Sequence, residues 1–393
     1  MAVDYKGLPR RAVGHRWDGP TLKPNVDSGR RLAVPTMKGL VLAGGHGTRL
    51  RPLTFTGNKH MIPIANQPIL FYGLKHLAQA GIRDVGIILG PLHEGIQEAI
   101  GSGEAFGLRV TYIFQGDPKG LAHAVLCARN FLGDDPFVMY LGDNLLQEGV
   151  TEFIRLFERE KPDAVVGVTE VENPRQYGIV ELNGTEIRSI EEKPSKPKSN
   201  LALIGVYLFG PAIHPIIASL SPSGRGELEI TEAIWRLHEA GGRIIPHSVR
   251  GWWKDTGRPE DLLHANALVL QSLLPTFFEH LGVVSRAARL TGNVRIGPGT
   301  VVDEGVEIEG PVVIGSGARL RAGTHVGPET AVGDGVVLES ADIRRSIILE
   351  GTRIEGPIRV VDSLIGRNVE ITARTRVDAD LTLILGDAAQ LRI

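Results

Sequence analysis

The first residues suited to chemistry lie in one short run, Ala43-Gly44-Gly45-His46-Gly47-Thr48-Arg49-Leu50-Arg51-Pro52. Three glycines let backbone N–H groups approach a polyphosphate closely, and Arg49 adds a planar fork of charge suited to phosphate oxygens. Two familiar phosphate loops do not fit. A Walker A loop ends in Gly-Lys-Ser/Thr, and none is here. A dinucleotide fingerprint needs a third glycine where this chain has Leu50, and an acid about twenty residues further on. No Asp or Glu occurs between Asp27 and Asp84, and that stretch carries Arg49, Arg51, Lys59, Lys75 and Arg83. Such a local sign bias suits a bound triphosphate.

Asp143 follows the apolar run Phe137–Leu141, and Asp255 follows the pair Trp252-Trp253. Mg²⁺ takes a few carboxylates plus substrate phosphate oxygens, so two acids suffice. On residue type alone Asp143 serves equally as a helix cap and Asp255 as a turn residue. Lys193, inside Glu191-Glu192-Lys193-Pro194, reads by itself as a solvated charge.

These residues need elements to position them. Gly39–Leu42, Val85–Leu89, Val110–Phe114 and Phe137–Leu141 are continuous apolar runs, separated by helical patterns at 68–81 and 121–131. Buried strands alternating with helices predict an α/β domain with a Rossmann-like, mostly parallel sheet, spanning 37–272. Ligands of such sheets sit beyond the carboxyl ends of the strands, where the glycine run and Asp143 fall. From 285 to 393 a different rule holds. Leu290, Ile296, Val302, Ile308, Ile314, Leu320, Val326, Val332 and Leu338 fall every sixth position, and glycines follow four of them. That period predicts a hexapeptide parallel β-helix of about five coils, behind a bridging helix near 261–271. The period falters at 342–346. The β-helix reads as a scaffold for assembly whose removal leaves some transfer activity. Residues 1–36, with scattered Gly and Pro and no apolar period, read as a tail before a natural start at Met37.

Composition narrows the function classes. The chain has 393 residues and a formal net charge of −2, against the basic excess of a nucleic-acid binder. The lone Cys127 excludes an intrachain disulfide and suits a reducing, cytoplasmic setting. No apolar run approaches the ~18–20 residues of a membrane span.

The run Gly44 to Thr54 followed by Lys59 resembles the signature of sugar-1-phosphate nucleotidyltransferases. The resemblance continues through Gln115 to Gly120, Leu141-Gly142-Asp143-Asn144, Tyr177-Gly178, Glu191 to Pro194 with Lys198-Ser199-Asn200, Arg225 to Thr231, and Trp253 to Gly257. In this order the blocks are similar to glucose-1-phosphate thymidylyltransferases of the long form, with a left-handed β-helical tail. The resemblance implies transfer of a thymidylyl group from dTTP to glucose-1-phosphate. It implies catalytic roles for Arg49, Lys59, Asp143 and Lys193, and Mg²⁺ on Asp143 and Asp255. The nucleotide would meet Gly44, Gly45, Gly47, Thr48, Arg49, His60, Gln115 and Gly120, and the sugar Asn144, Gly178, Glu192, Lys193 and Asn200. Arg225 is a further phosphate or supporting contact, and Glu227 and Glu229 orient the following helix. His60 stands where the thymidylyl enzymes usually have glutamine, which leaves UTP open as the donor. A homo-oligomer formed through the β-helix or the catalytic domain is expected.

Three other readings compete. Guanylyl or adenylyl transfer uses the same fold. The β-helix could carry acetyl transfer on His325, its one histidine. A non-catalytic subunit that binds nucleotide sugars would be expected to lack Arg49, Lys59, Asp143, Lys193 and Asp255, all of which are present.

Overall fold

In a computed structural model of the chain, residues 37–273 and 281–393 are described. The tail expected at 1–36 lies outside the described residues. The strand Lys38–Ala43 is central to a nine-stranded sheet, flanked in parallel by Asp84–Leu89 and Phe137–Leu141, with Arg109–Phe114 parallel at the edge. Its side chains alternate between two buried faces. Leu40 and Leu42 join the cluster of Ala124, Val125, Met139, Ile230 and Ile234. Val41 and Ala43 join that of Leu70, Leu74, Leu77 and Ile87, under the helix Ile69–Gln79. Helical cover on both faces is why the three inner strands read as unbroken apolar runs, whereas Arg109–Phe114 at the edge is only partly buried.

The other half of the sheet is mainly antiparallel, although Ile244–Ser248 runs parallel to Ala164–Glu170. Leu201–Phe209 pairs antiparallel with Phe137–Leu141, with Ala164–Glu170 and with Gly178–Asn183. A tight turn through Gly184 (φ 63°) returns the chain into Glu186–Glu192. The sheet is therefore mixed. That hairpin needs only a short turn, so no helix separates Gly178–Asn183 from Glu186–Glu192. The helix expected at 121–131 is two pieces, Leu121–Cys127 and Arg129–Leu132, with the break at Ala128.

The six-residue pattern forms three parallel sheets of seven, six and six short strands. Inward residues stack in ladders such as Val302, Leu320, Leu338, Ile354, Ile371 and Leu391. There are thus six coils rather than the expected five. The rung from Leu338 to Ile354 is two residues shorter than the one before it, which explains the lost period near 342–346. Later turns lengthen, as between Val360 and Leu381, and hide the last coil from a fixed-period reading.

The β-helix packs against the catalytic part. Ile347, Leu349 and Leu364 from its outer face share one buried cluster with Leu50, Leu53, Ile62, Ile64, Leu262 and Val269. Thr56 Oγ1 donates to Asp387 Oδ2 at 2.7 Å, Asn66 Nδ2 to the Val332 carbonyl at 2.7 Å, and Asn266 Nδ2 to the Glu329 carbonyl at 2.8 Å. The helix Pro259–Ser272 supplies Leu262, Ala265, Asn266 and Val269 to this seam. Deleting the β-helix would leave those apolar groups in water, so a truncated chain, expected to keep some transfer activity, should lose stability.

Candidate active site

The glycine run leaves the end of Lys38–Ala43, and two further loops meet it. Asp143 lies just beyond Phe137–Leu141, and Gln115 just beyond Arg109–Phe114. Gly47 takes a left-handed φ of 63° and opens the single turn Thr48–Leu50, which carries Arg49. The loop lies against Lys59: an added Cβ at Gly45 would sit 3.1 Å from Lys59 Cε, and one at Gly47 3.0 Å from Lys59 Cβ. His46, Thr48 and Arg49 are exposed, free to meet a ligand.

Lys59 Nζ pairs with Asp143 Oδ2, with both side chains about 15% exposed. The short strands Asn144–Leu146 and Trp253–Asp255 run antiparallel and set Asp255 opposite Asn144. The neighbouring Thr256 donates both its N–H (3.1 Å) and its hydroxyl (2.7 Å) to the Asp143 carbonyl. The Arg49 guanidinium lies over Gly257, where a Cβ would come within 2.9 Å of Nη2. Arg49, Lys59, Asp143 and Asp255 thus converge.

Electrostatics separates the two acids. Burial alone would raise the Asp143 carboxyl, but the Lys59 ammonium and its hydrogen bond hold it well below the ordinary range. Burial, followed by the Asp143 charge, pushes Asp255 up to about 7. Two close carboxylates, one resisting ionisation because of the other, suit a divalent cation that would neutralise both. Among the described residues no cluster of three or more metal-ligating side chains occurs, so phosphate oxygens would have to complete such a site.

Asn144 is buried, and its amide orders the site. Its Nδ2 donates to Asp143 Oδ1 (3.1 Å), and its Oδ1 accepts from Gly205 N–H (3.2 Å) and Trp253 Nε1 (2.7 Å). One Nδ2 hydrogen remains for a ligand hydroxyl. Trp253 also packs edge-on against Tyr177 at 5.5 Å, which links the acids to the next group of residues.

That group centres on Glu192. The hairpin register places Glu192 opposite Gly178. Glu192 accepts from Arg225 Nη1 (3.1 Å) and from Thr231 Oγ1 (3.2 Å), and Lys193 Nζ lies 3.7 Å away. Lys193 has φ 43°, a left-handed conformation that costs a non-glycine residue energy and is concentrated at functional sites. Its N–H bonds the Tyr177 carbonyl at 3.0 Å. Arg225 also pairs with Glu227 at 3.1 Å and Glu229 at 3.8 Å, so the segment braces Glu192. Asn200 does not join this group. Its side chain is exposed and lines a depression with Asn173, Arg175 and Lys198.

His60 departs from expectation. It is 2% exposed, its Nδ1 lies 2.6 Å from Asn58 Oδ1, and its ring edge packs on Gly142. Burial and the Lys59 charge hold it at about 3, so it is neutral. The residue expected to meet the nucleotide is thus a buried, uncharged side chain packed on Asn58 and Gly142.

His325 stands in a column of polar and charged side chains on the β-helix, with Glu307, Asp342, Arg359 and Asp380 in successive rungs. Its Nδ1 bonds Asp342 Oδ1 at 2.9 Å. The contacts of Thr231 and Tyr177 with the site had no signal in the sequence beyond their place inside the quoted blocks.

Comparison with known proteins agrees with this geometry. Residues 38–272 match the nucleotidyl transferase family model, and residues 308–392 match the GMPPB C-terminal domain model. A glucose-1-phosphate thymidylyltransferase of Streptomyces griseus is 46% identical over 363 residues, covering 91% of this chain and 99% of that protein. The low-salt glycan biosynthesis nucleotidyltransferase Agl11 of Haloferax volcanii is 45% identical over 91% of this chain and 100% of its own length. A crystal structure of a UDP-glucose pyrophosphorylase complexed with UDP-glucose superposes with a TM-score of 0.55 at 26% identity, covering 60% of this chain and 99% of that one. With its catalytic sheet and its β-helix both matched in relatives covered almost end to end, this chain belongs to the nucleotidyl transferase family, in the long form that continues into a β-helix.

Proposed function

We propose that this chain transfers a thymidylyl group from dTTP to glucose-1-phosphate, giving dTDP-glucose and pyrophosphate. The observation that carries the reading is the Lys59–Asp143 pair, set with Asp255 and Arg49 beside the glycine loop. The S. griseus relative, similar over its whole length, points to the same substrates.

The reaction needs no covalent enzyme intermediate. The sugar phosphate is an anion at neutral pH, and its oxygen attacks the α-phosphorus as pyrophosphate leaves. The protein's task is to hold the reactants in line and to stabilise charge on the leaving group. Gly44, Gly45, Gly47 and Thr48 offer backbone N–H groups to the triphosphate, and Arg49 and Lys59 offer positive charge. Lys193 holds the sugar phosphate. Glu192 and the remaining Asn144 N–H bind sugar hydroxyls beside Gly178. Gln115 and Gly120 face the base. Asp143 and Asp255 would hold Mg²⁺, which when bound neutralises polyphosphate charge. The enzyme would work as a homo-oligomer in the cytoplasm, where both substrates are made.

The test is pyrophosphate release from dTTP, UTP, GTP and ATP against several sugar-1-phosphates with Mg²⁺. Release that is fastest with dTTP and glucose-1-phosphate supports the reading. A clear preference for GTP or ATP contradicts it. Equal use of UTP would move the assignment toward the UDP-glucose enzymes, since the two pyrimidines differ by one methyl group.

A further inference from the structure

Gln115 has two possible faces to offer a base, and its neighbours allow only one. One end of its amide lies 3.2 Å from the Gly120 carbonyl oxygen. A carbonyl only accepts, so that end is Nε2. The same Nε2 lies 3.2 Å from His123 Nδ1, which must then be the unprotonated ring nitrogen. The ring proton is left on Nε2, which faces Cys127 Sγ at 3.8 Å, one helical turn further along Leu121–Cys127. Both Nε2 hydrogens are therefore engaged. Oε1 points toward the loop, where a Cβ on Gly44 would come within 3.0 Å of it, and among the described residues the Gln115 side-chain bonds run through Nε2 alone.

Resting on the nucleotidyl-transfer reading, we infer that His123 is a specificity-positioning residue: it locks Gln115 so that Oε1 alone faces the base, selecting a pyrimidine with an N3–H donor. Thymine and uracil carry that hydrogen. Cytosine presents a lone pair at N3, and two acceptors facing one another repel. To accept cytosine the amide would have to flip, breaking its bond to Gly120 and setting Oε1 against the His123 lone pair. Gly120 itself is fixed: its φ of 100°, and a Leu228 carbonyl 2.5 Å from where its Cβ would lie, leave that acceptor nowhere else to go.

The test compares dTTP with dCTP, which differ only in the base. It uses the full chain, with kcat/KM from pyrophosphate release and Kd from calorimetry. His123→Leu removes the acceptor, and its dTTP-to-dCTP ratio should fall roughly tenfold, the scale of one hydrogen bond. His123→Asn, whose carbonyl can still accept, should recover most of that ratio. Should the leucine variant not fold, His123→Ala removes the same acceptor. A well-folded His123→Leu or His123→Ala with the wild-type ratio overturns the role of His123 and leaves the proposed reaction standing. A wild type that binds dCTP as well as dTTP overturns the selection by Gln115. Absence of transfer from dTTP, with the Kd ratio still shifting in the variants, overturns the reaction and keeps the positioning role.

Discussion

The seam between the β-helix and the phosphate loop can be probed at Leu349. This side chain comes from the outer face of the β-helix, is 5% exposed, and is buried in the cluster that holds Leu50 and Leu53. Leu50 is the last residue of the turn that carries Arg49. Leu349→Ala deletes three buried carbons, and such changes cost about 2–5 kcal/mol according to how far the site collapses. Collapse here would move the base of the Arg49 turn. A misplacement of about 1 Å in a positioning group can cost up to ~100-fold, so a roughly tenfold rise in KM for dTTP is expected. Ile343→Ala is the control: Ile343 is fully buried inside the β-helix stack and belongs to no shared cluster. It should lower the melting temperature comparably and leave KM unchanged. Thermal melts and pyrophosphate-release kinetics on both variants decide the matter. An unchanged KM for dTTP in Leu349→Ala, with the same loss of stability as Ile343→Ala, refutes the idea that the β-helix sets the loop.

Other outcomes follow from the same geometry. Arg225→Ala should raise KM for glucose-1-phosphate about tenfold and leave KM for dTTP alone, because Arg225 braces only Glu192 and its neighbours. Replacing Gly120 with alanine should abolish nucleotide binding by calorimetry, since a Cβ at φ 100° would press on the Leu228 carbonyl. Stability should fall in mild acid through His76, which burial and the nearby Lys75 charge hold down to about 4, and whose buried Nδ1 has no hydrogen-bond partner among the described residues. The folded value lies below the unfolded ~6.5, so His76 does not oppose folding above that pH. The penalty grows as pH drops from about 6.5 to 4 and reaches roughly 3 kcal/mol. Urea melts at pH 7 and pH 4.5 should show a smaller difference in His76→Leu than in the wild type.

Much of this was legible in the sequence for identifiable reasons. The parallel strands are buried on both faces, so Leu40 to Ala43 and Val85 to Leu89 appear as unbroken apolar runs. The β-helix repeats its inward residue every six positions until a short rung between Leu338 and Ile354 breaks the count. The glycine loop, Lys59 and the two acids stand out because phosphate and metal chemistry demand those types. What escaped is what contacts between distant segments decide. His60 follows Lys59 in the sequence, yet its neighbours turn it inward against Asn58 and Gly142. Ile347 and Leu364 fit the apolar pattern of the β-helix, but nothing in that pattern tells an inward side chain from one that faces the catalytic sheet. The orientation of Gln115 depends on a carbonyl five residues away and on a histidine in the following helix.

The proposed transfer depends on Asp143, paired with Lys59, and on Asp255 beside it. The most direct measurement is turnover of Asp143→Asn with dTTP and glucose-1-phosphate at saturating Mg²⁺, alongside its melting temperature. Asparagine keeps the shape and removes the charge. The variant should stay folded, with a lower melting temperature because Lys59 loses its buried partner, and its turnover should drop at least ~100-fold, because charge neutralisation at the polyphosphate is lost. Near-normal turnover in a folded Asp143→Asn protein would contradict the proposed role.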